Sequence, residues 1–410
     1  MPDYQLFDLP NGIRIAHKAT HNSRIIHCGF ILDLGSRDEL PGEEGLAHFL
    51  EHILFKGTKK RNAFQIINRL ESVGGELNAY TTKEKVCVYA SVLDAFFPQA
   101  IEILTDIIFN SVYPPKHIEM ERGVILEEMS IYEDTPEDAI QDLFDEILFK
   151  NHPLGNNILG TRESVSSFQR HHIQEFMNRN LNSGRIIFSV VGNIAPRRLA
   201  YFVDKYIGVL PMYAGQPIRK PFAGYEPRSV SHHKPLSQSH CAIGGMAYPI
   251  SHPKQLSFFV LVNLLGGPMM NSRLNLALRE KNGLVYSIEA SYQPYIDTGS
   301  VGIFFATEAS QFRRAVKLVM KELKLLREKK LGTMQLHRLK AQLKGQMAMG
   351  EENGGNLMLT MGKSILDSGR LDALEDIFTK LDSLSAVDLM ETAVEVFDPE
   401  KLSILSFIPE

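Results

Sequence analysis

Residues 45 to 57, GLAHFLEHILFKG, place two histidines and a glutamate within five positions of an otherwise apolar run. On an α-helix, His48 and His52 are four residues apart and lie one turn above another on the same face. Two neutral imidazoles so placed can meet one ion, and they suit Zn²⁺, whose hydrolytic sites use three protein ligands and leave a position open. Glu51 sits beside the pair but is displaced around the helix. It can therefore reach a water rather than the ion, take its proton, and later hand that proton to a leaving amine. The order H-x-x-E-H reverses the commoner zinc-protease motif.

A third ligand is needed, and the helical segment HIEMERGVILEEMSIYED carries candidates. Glu121 and Glu128 are two turns apart and share a face, with Ile125, Leu126 and Met129 as apolar neighbours, whereas Glu127 points about 100° away. Glu128 is the chosen ligand, and Glu121 the outer carboxylate that orients a histidine or the substrate.

The motifs together resemble one family. HFLEH followed by ERGVILEEM, with the flanks FKGTKKR, GGELNAYTTKE and LREKNGLVYS, is similar to the pitrilysin (insulinase) family of inverted-motif zinc peptidases, and the similarity runs over essentially all 410 residues. It is nearest in pattern to the beta-type processing-peptidase subunit and to short bacterial members. The resemblance implies zinc held by His48, His52 and Glu128, with Glu51 as general base and Glu121 as accessory glutamate. It implies that Asn78 and Ala79 lie on an edge strand to which a peptide substrate adds as a further strand. From the second half, it implies that Arg279 holds a peptide carbonyl and that Tyr286 donates to the developing oxyanion. It further implies a chamber built from four related domains. A chain holding two would then work as a homodimer, or as a heterodimer with a related subunit.

Positioning these residues requires elements that the sequence also marks. Five of the 20 prolines fall between Pro211 and Pro235, where apolar periodicity vanishes, which reads as a linker. The expected division is a catalytic domain over residues 1–212, a linker over 213–230 and a related domain without metal ligands over 231–410. Both halves repeat the order strand, helix, helix, hairpin, helix. Laying Gly75 over Gly283 puts Asn78 on Tyr286, and puts His48, Glu51 and His52 on Leu256, Phe259 and Val260, ordinary core residues in a half that kept no polar cluster. The fold class is therefore α+β: two related domains, each a largely antiparallel sheet covered by helices, forming half of a clamshell.

Composition excludes other classes. The 44 basic and 48 acidic side chains give a formal charge of −4, and no electrostatic reason to propose nucleic acid. Cys28, Cys87 and Cys241 have no paired spacing, which argues for a reducing compartment and against thiolate metal sites. With neither a secretory leader pattern nor an apolar run of roughly 18 residues, a cytoplasmic location without membrane association is expected. NLLGGPMMNSRL lacks the ending of a phosphate loop and reads as a helix-connecting turn. The methionines of QMAMGEENGGNLMLTMG read as core filling, and His232 and His233 as solvated linker residues. The rival reading is a noncatalytic scaffold or pairing subunit of the same fold, which has no use for a complete ligand set with its base.

Overall fold

The structure is a computed structural model that describes residues 4–21 and 23–410. It divides into two compact units, and each contains one sheet.

In the first unit, a run of β-branched and aromatic residues forms strands β1 (Gln5–Asp8), β2 (Arg14–Ala19), β3 (Ile25–Leu32), β4 (Glu76–Thr81), β5 (Val86–Leu93) and β6 (Ile186–Gly192). They lie in the order β1-β2-β6-β3-β5-β4. Only β2 and β6 run parallel; the other neighbours are antiparallel. Because strand side chains alternate, the sheet has two apolar faces. One packs Ile15, Phe30, Val88 and Phe188 against helices α1 (Leu46–Leu54), α2 (Ala63–Glu71) and α3 (Phe97–Phe109), among others. The other packs Ile31, Cys87 and Ile187 against Met358, Met361 and Ile365 of the helix Gly354–Ser368.

The second unit repeats the pattern. Its strands β7 (Ser229–Lys234), β8 (Ser239–Ala247), β9 (Val285–Pro294), β10 (Gly299–Thr307) and β11 (Ser403–Pro409) lie in the order β7-β11-β8-β10-β9, again with a single parallel pair, β7 and β11. Strand for strand this is β2-β6-β3-β5-β4, so the internal repeat read from the sequence is present in the topology, and the largely antiparallel α+β class holds. One face carries the helices Gln255–Gly266 and Phe312–Glu328, and the other carries Phe144, Leu148 and neighbours of a helix from the first half of the chain, Pro136–Leu148.

The units are accordingly not contiguous. The first comprises residues up to Met129, Asn156–Arg219 and Ala348–Ala373; the second comprises Ser130–Gly155, Lys220–Met347 and Leu374–Glu410. The uninterrupted halves 1–212 and 231–410 are therefore corrected: each half of the chain gives one amphipathic helix to the other's sheet. The linker 213–230 is irregular over most of its length, as composition suggests, and the division falls inside it, after Arg219. His232 and His233 lie on β7 rather than in the linker, though both are exposed. At the positions aligned with the polar cluster, Val260 is core but Phe259 is 37% exposed, so the second half keeps no ligands yet does not bury every replacement.

Gly45 shows how tightly α1 is set. It precedes the helix with φ +93°, a left-handed conformation, and a Cβ there would meet the Leu159 carbonyl oxygen at 2.4 Å. The buried Glu39 carboxylate accepts the Gly45 amide at 3.0 Å and the Ala47 amide at 2.8 Å, satisfying two of the donors that a helix N-terminus leaves open. Gly45→Ala is expected to cost roughly 2–4 kcal/mol in denaturant unfolding, from strain plus displacement of the helix start. Wild-type stability in that variant would show that the start of α1 is not so constrained.

Candidate metal centre

Helix α1 exists because Leu46, Ala47, Phe49, Leu50, Ile53 and Leu54 all find core, and this burial carries His48 inward with them. Helix α4 (Pro115–Asp134) presents a stripe of Ile118, Glu121, Ile125 and Met129 at helical spacing, all buried. Crossing these two surfaces brings the polar residues of both into one place.

The ligand-type atoms of His48, His52 and Glu128 all lie within 4.8 Å of one another. Glu128 Oε2 is 3.6 Å from His52 Nε2 and 3.9 Å from His48 Nε2. These separations are too long for hydrogen bonds, but they match donors about 2.1 Å from a shared tetrahedral ion, which stand roughly 3.4 Å apart. His52 Nδ1 is 3.0 Å from Glu121 Oε2, and Lys56 Nζ is 2.8 Å from Glu121 Oε1. With Nδ1–H donated to Glu121, the lone pair of His52 is left on Nε2, facing Glu128. Two imidazoles and a carboxylate, with a carboxylate behind one imidazole, fit a zinc ion.

Electrostatics support that fit. Burial, reinforced by the neighbouring His52, lowers the His48 pKa to about 4, so its imidazole is neutral over the physiological range. Burial pushes Glu121 up, but its bonds to His52 and Lys56 outweigh this and hold it below the usual range, as an anion. Glu51 is different. Desolvation raises its pKa, and Glu128 adds to the rise, while Thr81 and His52 oppose it.

Strand β4 supplies the remaining element. It is the edge of its sheet, paired only with β5, so one row of its amides and carbonyls is open. The Ala79 amide is covered at 2.8 Å by the Asn78 side chain, and the strand packs against α1, where Thr81 Oγ1 donates to the Ala47 carbonyl at 3.3 Å. Asn78 and Ala79 thus stand on an open edge whose last residue, Thr81, is bonded to the backbone of α1, the helix that carries Glu51. Arg279 and Tyr286 belong to the second unit. The Tyr286 side chain is 86% exposed, and the Arg279 guanidinium lies 5.6 Å from the centre of its ring.

Thr81, Lys56 and Glu39 were not singled out from the sequence. Two of them had a signal available, because Thr81 lies in GGELNAYTT and Lys56 in FKGTKKR, segments marked for other residues. Glu39 had none, since its role depends on a loop folding back over the helix start.

Comparison with known proteins agrees with the geometry. Residues 14–162 match the model of the insulinase family, peptidase family M16, and residues 167–343 match the model described as the peptidase M16 inactive domain. A Bacillus subtilis protein described as an uncharacterized zinc protease is 31% identical over 388 residues, covering 94% of each chain. The chain belongs to peptidase family M16. A second M16 relative, from Streptomyces coelicolor and described in the same words, is 33% identical over 396 residues, 95% of this chain and 86% of that one. Two solved structures share the fold: a peptidase M16 inactive domain from Pseudomonas fluorescens, with TM-score 0.92 at 17% identity, and a protease from Helicobacter pylori, with TM-score 0.91 at 20% identity. The first spans 100% of this chain and 98% of its own, and the second spans 100% of both. Among the described residues, no helix is long and apolar enough to cross a membrane.

A buried neutral His48 has a measurable consequence. Its folded-state pKa is depressed, so the unfolded chain binds a proton that the folded metal-free chain does not between pH 6.5 and about 4. Stability from this group is therefore full above pH 6.5 and declines as pH falls through that window. Urea titrations of the metal-free protein are expected to show a shallower pH slope there in His48→Gln than in wild type. Identical slopes would mean that His48 is not held neutral by burial.

Proposed function

We propose that this M16 protein is a zinc endopeptidase that hydrolyses extended oligopeptides or unfolded polypeptide segments. The observation that carries the reading is the convergence of His48, His52 and Glu128 beside Glu51, on a helix packed against an open strand edge. His48, His52 and Glu128 hold the metal, and Glu121 fixes the His52 ring and its tautomer. When bound, zinc supplies Lewis acidity that polarises the scissile carbonyl and acidifies water.

The substrate backbone adds to β4, where Ala79 offers an amide once the Asn78 side chain swings aside. Such an edge reads main chain, which requires the substrate to be extended but leaves its sequence largely free. Glu51 takes the proton of the attacking water and returns it to the nitrogen of the leaving amine. A carboxyl whose pKa is raised by burial suits both transfers. The family resemblance assigns Arg279 a peptide carbonyl and Tyr286 the developing oxyanion. A scaffold would need none of these groups, which sets the noncatalytic alternative aside.

The decisive experiment combines zinc analysis with steady-state kinetics on a fluorogenic peptide. His52→Ala is expected to lose bound zinc, whereas Glu51→Gln keeps about one zinc per chain and loses nearly all turnover, since an amide cannot accept the proton. Tyr286→Phe should lower kcat by about 30-fold to 1,000-fold with zinc unchanged. Full zinc occupancy in His52→Ala, or wild-type turnover in Glu51→Gln, would overturn the assignment.

Two related units suggest half of an enclosed chamber, so a cytoplasmic homodimer, or a pair with a related subunit, completes it. Light scattering is expected to report a dimer that spares stably folded proteins. Rapid degradation of a folded protein by a strict monomer would remove the chamber.

A further inference from the structure

The face of the first sheet opposite α1 carries chemistry that the zinc reaction does not use. Along β4, Leu77, Ala79 and Thr81 turn toward the face that packs α1, and Thr81 Oγ1 reaches the Ala47 carbonyl at 3.3 Å. Asn78 and Tyr80 turn the other way, toward the helix Gly354–Ser368. There the Tyr80 and Tyr89 rings meet edge to face at 6.1 Å, and Tyr80 stands opposite Cys87 on the neighbouring strand. Lys363, from that helix, lays its ammonium 4.9 Å from the centre of the Tyr80 ring.

Other lysines on this face have carboxylate partners. Lys85 pairs with Asp33 and Asp367, and Lys18 with Glu351. Lys363 is half-buried and has no carboxylate within ion-pair distance among the described residues; its partner is the tyrosine ring. An ammonium partly removed from water over an aromatic floor, with its remaining donors unmatched, is a site for an anion.

A strand paired with β4 places its own side chains on the same faces as the residues they stand opposite. Those opposite Asn78 and Tyr80 would project toward Tyr89 and Lys363. Tyr80 immediately precedes Thr81, which is bonded to the Ala47 carbonyl of the helix that carries His48 and Glu51, so such a side chain belongs to a residue close to the bond being cut.

We infer that Lys363, with Tyr80 and Tyr89, forms a specificity subsite for an acidic side chain of the substrate. The inference rests on the proposal that substrate adds to β4 and names the class of peptide this edge favours. It makes the helix Gly354–Ser368, supplied by the second half of the chain, part of the selectivity of the first unit. It also predicts discrimination against lysine or arginine at that position, through repulsion by Lys363.

The test is a peptide-library digestion by the zinc-loaded full chain and its Lys363→Glu and Lys363→Gln variants. Wild type is expected to favour Asp or Glu over Gln at one position near the cut. Lys363→Glu should reduce that ratio about tenfold or more, with Lys363→Gln between them. A wild-type profile without an acidic preference, or a preference retained in Lys363→Glu, would overturn the inference. A separate readout needs no turnover: Glu51→Gln protein should bind an acidic peptide more tightly than its Gln counterpart, and adding Lys363→Glu should abolish the difference. If wild type cleaves no peptide at all, the protease reading fails, and the binding comparison still decides Lys363. Equal binding of the two peptides to Glu51→Gln protein would reject the subsite.

Discussion

The rest of the site depends on one shared carboxylate. Glu121 accepts from His52 on one oxygen and from Lys56 on the other, at 3.0 and 2.8 Å, inside a stripe of α4 that is otherwise apolar. A buried carboxylate without partners would be protonated, and a protonated Glu121 would not hold the His52 ring in one tautomer. The bond from His52 and the one from Lys56 together keep it charged, and Lys56 can reach it because it lies one turn past His52, just beyond the end of α1. At the other end of the helix the buried Glu39 carboxyl accepts from the amides of Gly45 and Ala47, but there burial outweighs those bonds and pushes its pKa well up. An apolar helix can thus carry His52 into the core boundary because Glu121 answers it from outside the motif, whereas the buried His48 Nδ1 has no hydrogen-bond partner among the described residues and that ring is held by packing. Thr81 ties the strand edge to α1 through the Ala47 carbonyl, which is why that edge and Glu51 lie together.

The two sheets follow one plan, with the same strand order and one parallel pair at the corresponding place. Only the first kept the ligands. The second has Leu256, Phe259 and Val260 at the aligned positions, and the partial exposure of Phe259 shows that losing a polar site does not automatically produce a sealed core. What the second half adds to the first unit is a helix, Gly354–Ser368, whose Met358, Met361 and Ile365 close the face opposite α1. The methionines read as core filling have this role, although Met349 of the same run is exposed.

How much was legible follows from the range of the interactions concerned. His48, His52 and Glu51 are fixed by one helix, so spacing alone placed them. Glu121 and Glu128 needed only a second helix with a recognisable apolar stripe. The order of elements along the chain was accessible because the repeat doubles the evidence for each one, whereas the order of strands within each sheet came from the structure. The domain division was not, because the hydrophobic face of an amphipathic helix states that it must be buried without stating against which sheet. The helices Pro136–Leu148 and Gly354–Ser368 carry ordinary core-facing patterns that suit either sheet, and nothing local in them marks the exchange. Glu39 was illegible for the same reason, since its partners are set by a loop closing over a helix start.

The exchange has a consequence for how selectivity can vary in such a chain. The proposed metal ligands and Glu51 sit on α1 and α4, elements constrained by deep packing and by each other, so on the proposed function substitutions there act on the chemistry itself. Tyr80 lies on β4, with its neighbour Thr81 bonded to the backbone of α1, which limits change on that strand as well. Lys363 is under neither constraint. It stands on a helix whose buried positions are Leu357, Met358, Met361, Gly362 and Ile365, and its ammonium rests on a ring rather than in an ion pair. Replacing it alters the charge presented beside the open edge while leaving the apolar contacts of the helix in place. If peptides add to the edge as proposed, a helix delivered from the other half of the chain tunes which of them it accepts, separately from the residues proposed to cut them.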